Sequence, residues 1–368
     1  MSPEDLISAL TPDACATHAA RLLDWYRHNA RTLPWRIPPG GEKPDPYRIW
    51  LSEVMLQQTT VAAATGYYRR FLSLWPTVAD LAAAPSEDVM AAWAGLGYYA
   101  RARNLHACAK VVAGQYKGQF PDTEEALLQL PGIGIYTAAA ITAIAFHRRA
   151  VVVDGNVERV MARLFAVTAP LPGAKPLLRD AAARLTPEQQ PGDYAQAVMD
   201  LGATLCTPRN PACVLCPWMG SCMGCRTGLA ESLPARGEAK ERPVRHGLAF
   251  WLLRKDGAVL LRRRPDSGLL GGMMEIPSTP WEEDRCWTLE DAVRYSPAEG
   301  YQWRLLPSGI SHVFTHFRLD IQVAVAHVRN PALALGLWCP LDTLEAQGLP
   351  TVMKKIMRHA LRRAYQEE

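Results

Sequence analysis

Apolar residues recur at three- and four-residue spacing from Pro12 to about Met219. This spacing places them on one face of a helix, and prolines and glycines separate the successive runs. The pattern predicts an all-α domain whose helices cover residues 16–26, 47–61, 65–75, 87–94, 100–116, 123–130, 136–146, 156–165, 176–185 and 193–205.

The pattern changes after Cys225. Residues 226–245 mix charges with glycine and proline, which is typical of an exposed linker. Beyond them, apolar runs at 248–254 and 258–263 flank Asp256-Gly257, a strong hairpin signal. Residues 318–328 alternate like a strand, and 352–365 predict a closing amphipathic helix. We therefore predict an all-α domain at 1–225, a linker at 226–245 and an α+β domain at 246–368.

The chain has 368 residues, a formal net charge of +4 and a pI near 8.6. This mildly basic balance permits nucleic acid as a partner but does not identify one. The first residues lack the basic start and apolar core of a signal peptide, and the apolar runs are too short to span a bilayer. We expect a cytoplasmic protein, nucleoid-associated if it is bacterial, with no membrane partner.

Four of the nine cysteines follow the spacing C-x6-C-x2-C-x5-C, at Cys206, Cys213, Cys216 and Cys222. Prolines and glycine fill the gaps, so the segment predicts a loop that wraps a ligand. Cytosolic thiolates crowded in this way need a compensating cation. Chemistry alone leaves zinc and an iron–sulfur cluster both open. Cys225 lies outside the pattern, and we expect a free thiol there.

The segment Leu130-Pro131-Gly132-Ile133-Gly134 lies between two predicted helices. Its glycines permit positive φ angles and a close backbone approach to a ligand. The N–H groups at the start of the following helix suit an anion such as a DNA phosphate. A plain helix–helix turn is the alternative.

Two carboxylates are candidates for chemistry. Asp154 follows the apolar residues 151–153 at a helix start, where an N-cap role is the alternative and is compatible with catalysis. Glu53 shares a helix face with apolar Ile49 and Trp50. Burial there raises the pKa of a carboxyl group, which suits a general acid. The alternative for Glu53 is an ion pair with Arg48 or Arg159.

Several segments together resemble the MutY family of adenine DNA glycosylases. They are residues 53–59, 95–99, 130–136 and 153–157 and the cysteine loop, in the family's order. The resemblance implies a helix–hairpin–helix fold of two all-α lobes with a DNA-binding cleft between them, across which Glu53 and Asp154 face each other. The cysteine spacing matches the loop of the endonuclease III and MutY glycosylases, which implies a [4Fe–4S] cluster.

The resemblance also implies a mechanism. Protonated Glu53 would give a proton to adenine N7, and ionised Asp154 would stabilise the oxocarbenium ion through a transient bond, as in retaining glycosidases. Tyr136 matches the tyrosine beside the reacting sugar, and Asn156 matches the asparagine that positions groups near the aspartate. Endonuclease III has a nucleophilic lysine where this chain has Tyr136, so a monofunctional enzyme is implied.

Residues that recognise the lesion follow from the same resemblance. Gln58, Thr59, Leu96 and Tyr98 match residues that contact the lesion strand, with Tyr98 as a wedge. A pair of core residues at a helix start is the alternative for Tyr98 and Tyr99.

The second domain resembles the Nudix fold of MutT. Residues 268–277 carry the resemblance, although Met274 replaces the usual aromatic residue. The acidic metal motif of Nudix hydrolases is missing, so phosphate hydrolysis is not expected. Phe314, Thr315 and His316 match a loop that reads oxidised guanine. A hydrophobic anchor is the alternative for Phe314.

The resulting prediction is a monomeric glycosylase that acts on double-stranded DNA with adenine opposite 8-oxoguanine or guanine. A pyrimidine-damage glycosylase with lyase activity is a second possibility, disfavoured by Tyr136 and the second domain. A nucleotide-pool hydrolase lacks its metal motif. A non-enzymatic DNA-binding protein would leave Glu53 and Asp154 without a role.

Overall fold

The computed structural model describes residues 2–237, 241–265, 268–328 and 336–364. The chain forms two compact units. Unit 1 comprises Met1–Ala83 and Asn104–Ala239, and unit 2 comprises Ala84–Arg103 and Lys240–Glu368. The boundaries of the predicted all-α and α+β domains remain a prediction, because unit 2 also includes residues 84–103 from the middle of the helical region.

Helices make up the described part of the chain as far as Arg226, and each predicted helical run contains one. Their bounds are α1 Pro3–Ser8, α2 Pro12–Asn29, α3 Pro46–Leu56, α4 Val61–Leu74, α5 Val78–Ala83, α6 Ser86–Trp93, α7 Ala100–Gln115, α8 Glu124–Leu127, α9 Ile135–Phe146, α10 Gly155–Leu164, α11 Lys175–Leu185, α12 Pro191–Thr204 and α13 Met223–Arg226. The sequence analysis did not predict α1, α5 and α13, which are too short to show a helical repeat.

Helix α3 ends earlier than predicted. The run 47–61 was expected to be one helix, but α3 stops at Leu56 and α4 begins at Val61. Between them Gln58 takes a φ of 53°, and the Thr60 side chain caps α4 by accepting from the Ala63 N–H. A left-handed residue followed by an N-cap interrupts a helix although the apolar spacing continues.

Helix α9 forms the centre of unit 1. All its residues from Thr137 to Ala145 are buried, and it packs against α3 and α12. A helix that is apolar all round belongs inside a core, and its alanines allow close approach. A Cβ on Gly192 would lie 2.5 Å from the Ala143 carbonyl oxygen. This packing holds the start of α9 against α3, where the candidate site lies.

The predicted linker is more closely packed than expected. Ala230 and Leu233 are buried, and the Leu233 carbonyl accepts a 2.9 Å hydrogen bond from Nε of Arg163. Ala230 and Leu233 therefore anchor this part of the predicted linker, whereas Glu231, Ser232, Arg236 and Gly237 are exposed as expected. Residues 238–240 lie outside the described part of the chain.

Unit 2 contains a mixed sheet. Its strands are β1 Val244–Leu253, β2 Ala258–Arg263, β3 Met274–Glu275, β4 Arg304–Leu305, β5 Ile310–Val313, β6 Arg318–His327 and β7 Leu337–Pro340. The strand order is β3-β2-β1-β6-β4, and in addition β5 pairs with β6 and β7 pairs with β2. Strands β1 and β6 run parallel and the other pairs are antiparallel.

The predicted hairpin, the strand at 318–328 and the closing helix are confirmed. Strands β1 and β2 pair across the Asp256-Gly257 turn with Leu253 opposite Val259. Helices α14 Leu289–Ala292 and α15 Thr351–Ala364 complete unit 2, and the predicted end at Tyr365 lies outside the described residues. Helix α15 buries Val352, Met353 and Ile356 against the sheet. Among the described residues, no helix combines the length and apolarity needed to cross a membrane.

Candidate active site

Glu53 lies on α3 with only 6% of its surface exposed. Its neighbours Ile49 and Trp50 are buried with it, as the apolar face predicts. Burial favours the neutral carboxyl group and raises the pKa of Glu53 to about 7. The ion pair considered as an alternative is not what the structure shows. Arg48 lies 3.9 Å from Asp45 instead, and Arg159 donates to Asn156 and to the carbonyls of Gly202 and Cys206.

Tyr136 is the direct partner of Glu53. Its hydroxyl donates a 2.7 Å hydrogen bond to Glu53 Oε2 from the first turn of α9. This bond stabilises the carboxylate and lowers the pKa of Glu53, while the charge of Asp154 raises it. The pKa of Tyr136 itself is raised well above its usual value by burial and by both carboxylates. Tyr136 therefore serves here as a neutral hydrogen-bond donor.

Asp154 caps α10, and its carboxylate is also part of the site. Oδ1 accepts a 2.8 Å bond from the Val157 N–H, and Oδ2 accepts a 3.1 Å bond from Asn156 Nδ2. Burial raises the pKa of Asp154 above its usual value, and these hydrogen bonds offset only part of that rise. The N-cap alternative is thus confirmed, and it coexists with a carboxylate held beside Glu53.

The sequence analysis missed a positive charge near Glu53. The Arg36 guanidinium lowers the pKa of Glu53 and donates a 2.6 Å bond to Asp200 Oδ2. Asp200 is fully buried on α12 and also accepts from Arg31 Nε at 2.6 Å. This buried carboxylate therefore fixes two arginines at one wall of the site.

A cavity of about 540 Å³ joins these groups. This volume lies in the range of small-molecule sites. The predicted residues Gln58 and Thr59 lie on its wall. Its polar lining also includes Arg31, Arg36, Glu53, Tyr136, Asp154 and Asn156, and apolar side chains such as Trp35 and Met199 complete it. The arrangement can enclose a flat, partly apolar group next to the two carboxyl groups of Glu53 and Asp154.

A second residue missed from the sequence is Arg159, which links Asn156 to the cysteine loop. One Nη donates to Asn156 Oδ1 at 2.8 Å and to the Gly202 carbonyl at 2.7 Å. Nε donates to the Cys206 carbonyl at 2.8 Å. Since Asn156 in turn donates to Asp154, hydrogen bonds run from the carboxylate to the loop.

The cysteine loop fits the cofactor that its spacing implies. Burial and the neighbouring thiols raise the pKa values of Cys213, Cys216 and Cys222, so their thiolates need a cationic group at this place. Arg163 Nη1 lies 3.4 Å from Cys206 Sγ. Among the described residues, no group of three or more cysteine, histidine or acidic side chains is placed to hold a metal ion.

Cys225, predicted to be a free thiol, lies close enough to Cys213 to raise its pKa. That Cys225 remains outside the cluster as a free thiol stays a prediction.

The predicted DNA hairpin has the expected backbone. Gly132 takes a φ of 76°, and a Cβ there would lie 2.5 Å from Cβ of Asn104. Leu130 and Ile133 are buried and anchor the turn, while Pro131 and Gly134 lie nearer the surface. No side chain caps α9 at Gly134, so its first N–H groups suit an anion.

In unit 2, Tyr98 and Tyr99 have different environments. Tyr99 is buried, whereas Tyr98 is 46% exposed with a φ of 48°. The core-pair alternative therefore applies to Tyr99 only. Leu96 is buried. The Tyr98 hydroxyl lies 2.7 Å from Thr315 Oγ1, which brings two predicted lesion-reading residues together.

The loop after β5 exposes Thr315 and His316. Phe314 is half-buried and stacks on Phe317 with ring centroids 4.7 Å apart. This packing is the anchor considered as an alternative for Phe314. Met274, which replaces the usual aromatic residue of this stretch, begins β3.

Three segments of the chain match known families. Residues 51–184 match the HhH-GPD superfamily of base excision DNA repair proteins. Residues 206–222 match the iron–sulfur binding domain of endonuclease III, and residues 248–359 match the NUDIX domain. The iron–sulfur segment contains all four predicted cluster cysteines, and the predicted [4Fe–4S] cofactor is confirmed. The other two matches confirm the predicted fold of a helical glycosylase domain followed by a Nudix-like domain.

The chain is also similar to individual DNA glycosylases. The adenine DNA glycosylase of Homo sapiens is 35% identical over 402 residues, which cover 92% of this chain and 72% of the relative. That of Mycolicibacterium smegmatis is 42% identical over 53% of this chain and 66% of its own length. The structure of a thermostable thymine-DNA glycosylase superposes with a TM-score of 0.51 at 28% identity, covering 58% of this chain and 97% of that one.

Proposed function

The chain belongs to the adenine DNA glycosylase family, whose members act in base-excision repair of adenine mispairs, and we propose that Glu53 and Asp154 divide the chemistry of excision between them. The observation that carries this proposal is a buried acid with its pKa raised to about 7, in the same cavity as a second carboxylate. When the environments of two carboxyl groups move their pKa values apart, one group can act as the acid and the other as the anion.

Glu53 supplies the proton. An adenine anion is a poor leaving group, and protonation at N7 makes departure possible. At neutral pH an acid with a pKa of about 7 is partly protonated and still a good donor. The Tyr136 hydroxyl orients the carboxyl group through Oε2. The cavity must receive adenine flipped out of the duplex before this step.

Asp154 supplies the negative charge. As the glycosidic bond breaks, positive charge grows on the sugar, and the carboxylate stabilises it and bonds transiently to the anomeric carbon. Asn156 holds one carboxylate oxygen of Asp154. Water then completes hydrolysis. Tyr136 has no amine with which to form an imine, so the enzyme removes the base without cutting the strand.

The base opposite adenine identifies the error, because adenine itself is undamaged. We assign this recognition to 8-oxoguanine, whose N7 donates a hydrogen bond where that of guanine accepts. Thr315 offers an exposed hydroxyl to that edge, His316 adds a second polar group, and Tyr98 lies beside Thr315 as the wedge. Gln58, Thr59 and Leu96 contact the same strand.

The iron–sulfur cluster stabilises the fold of the loop that carries its four thiolates, and the proposed chemistry needs no redox step. Residues Pro131 to Gly134 hold a DNA phosphate through the backbone. The substrate is double-stranded DNA in which adenine lies opposite 8-oxoguanine or guanine, and we assign the enzyme to the cytoplasm.

Single-turnover excision by Glu53→Gln and Asp154→Asn tests the roles. Each change should slow excision by about a hundredfold or more while duplex binding stays close to that of the parent. Asp180→Asn is the matched control, because Asp180 pairs with Arg184 on the surface of α11. Excision near the parental rate in either site variant would refute the assignment.

A further inference from the structure

A cavity of about 470 Å³ lies in unit 2 and has no part in the proposed excision chemistry. Three arginines, Arg262, Arg264 and Arg294, face one carboxylate, Glu275, along its wall. The charged lining therefore has a formal excess of two positive charges. The hydroxyl-bearing residues Ser278, Thr279 and Ser296 also line it.

Glu275 holds two of the arginines in place. It is 1% exposed on β3, directly opposite Arg262 on β2. Arg262 Nε and Nη2 donate to Glu275 Oε1 at 2.9 and 2.7 Å, and Arg264 Nη1 donates to Oε2. One buried carboxylate balances one guanidinium, so the second positive charge of this pair is not neutralised within the triad.

Both guanidinium groups keep donors for a ligand. Each guanidinium has five N–H donors. Arg262 uses two on Glu275, while Arg264 uses one there and one on the Leu269 carbonyl at 3.1 Å. Arg264 also lies over the Trp281 ring at 5.2 Å, which limits its movement. These contacts leave further N–H groups available in the part of the chain that the structure describes.

Arg294 adds a third cation without a carboxylate partner among the described residues. It lies 5.0 Å from the ring centroid of Tyr295, which also lines the cavity. By contrast, the charge of Arg254 in the same unit is neutralised by an ion pair with Asp256 at 2.6 Å. Arg294 therefore contributes its full charge to the cavity.

We propose that this cavity binds a phosphate group directly through its arginines. Guanidinium forks match phosphate oxygens in geometry and charge, and two excess positive charges match a phosphate better than a monovalent carboxylate. The lining has one carboxylate, already bonded to two arginines, so its residues favour an anion over a divalent cation. A DNA backbone phosphate and the phosphates of a free nucleotide share this chemistry.

Calorimetric titration of the full-length, cluster-loaded protein with inorganic pyrophosphate at low salt tests the site. Arg294→Gln should weaken binding about tenfold or more. Arg264→Gln should do the same, because it removes a second positive charge from the lining, and Glu275 remains paired with Arg262 through two hydrogen bonds, which guards against misfolding. Arg254→Gln removes the same charge from the β1–β2 turn and should bind like the parent.

Duplex binding over a range of salt concentrations separates the two sources of phosphate. If DNA occupies the cavity, Arg294→Gln lowers the salt slope by about 0.9 for each lost phosphate contact. If a free nucleotide occupies it, the slope is unchanged and deoxyguanosine triphosphate competes with pyrophosphate. Either result supports the proposal. It is overturned if the site variants match Arg254→Gln in both pyrophosphate affinity and salt slope.

Discussion

The Tyr136 hydroxyl donates to Oε2 of Glu53 at 2.7 Å, so the first turn of α9 directly tunes the acid carried by α3. The bond favours the carboxylate and opposes the effect of burial on the pKa of Glu53. The bond and burial together therefore determine how readily Glu53 releases its proton.

Tyr136→Phe removes this bond and should raise the pKa of Glu53 above about 7. Excision that depends on protonated Glu53 falls as pH rises through that pKa, so the alkaline limb of the rate profile should move to higher pH. Single-turnover rates between pH 5 and 9 measure the shift. Tyr116→Phe is the control, because Tyr116 does not line the cavity, and a limb that stays in place would contradict the proposed acid.

Glu53→Gln should stabilise the fold at alkaline pH. The carboxyl group has a pKa of 4.5 when unfolded and about 7 when folded, so stability is lost as pH rises from the first value through the second. The difference corresponds to roughly 3 kcal/mol above the folded pKa. Urea unfolding at pH 5 and pH 8 should show a parent-to-variant difference that grows with pH; a constant difference would argue against the raised pKa.

Tyr136→Lys should introduce a nucleophilic amine beside the reacting sugar. A lysine can form an imine with the opened sugar, whereas tyrosine cannot. Borohydride treatment during the reaction should therefore trap a covalent protein–DNA adduct with the variant and little with the parent. Strong trapping by the parent would show that the protein is bifunctional.

The Thr315 hydroxyl should contribute to the preference for 8-oxoguanine over guanine opposite adenine. Thr315→Val keeps the shape and removes a hydrogen bond worth about 1–3 kcal/mol, so the ratio of excision rates should fall about fivefold or more. Tyr98→Phe removes the 2.7 Å partner of that hydroxyl but keeps the wedge, and serves as the comparison. An unchanged ratio in Thr315→Val would place the discrimination elsewhere.

Arg163 should be needed for cluster retention. It is buried and donates to the carbonyls of Thr207 and Leu233, at 2.7 and 2.9 Å, and approaches Cys206 Sγ. Arg163→Leu leaves these carbonyls unsatisfied, so iron should fall well below about four per chain, with loss of absorbance near roughly 400 nm. Arg184→Leu, on the surface, is the control, and full iron in the Arg163 variant would contradict the prediction.

Local signals in the sequence predicted much of the molecule. The helical repeat, the Asp256-Gly257 hairpin and the cysteine spacing each depend on residues close along the chain, and the structure or the comparisons confirm them. Glu53 and Asp154 were also identified as candidates from local signals, an apolar helix face and a helix start, and their catalytic roles stay a prediction. The predicted end of α3 was wrong, because the left-handed conformation of Gln58 cannot be read from the spacing of apolar residues.

Tertiary packing decided the electrostatics. Asp200 joins Arg31 and Arg36 across more than 160 residues, and Arg159 reaches the Cys206 carbonyl only because α10 packs beside the loop. Likewise Glu275 meets Arg262 through strand register rather than spacing. A sequence shows which residues can ionise, but their pKa values and partners depend on burial and distance, which exist only once the chain has folded.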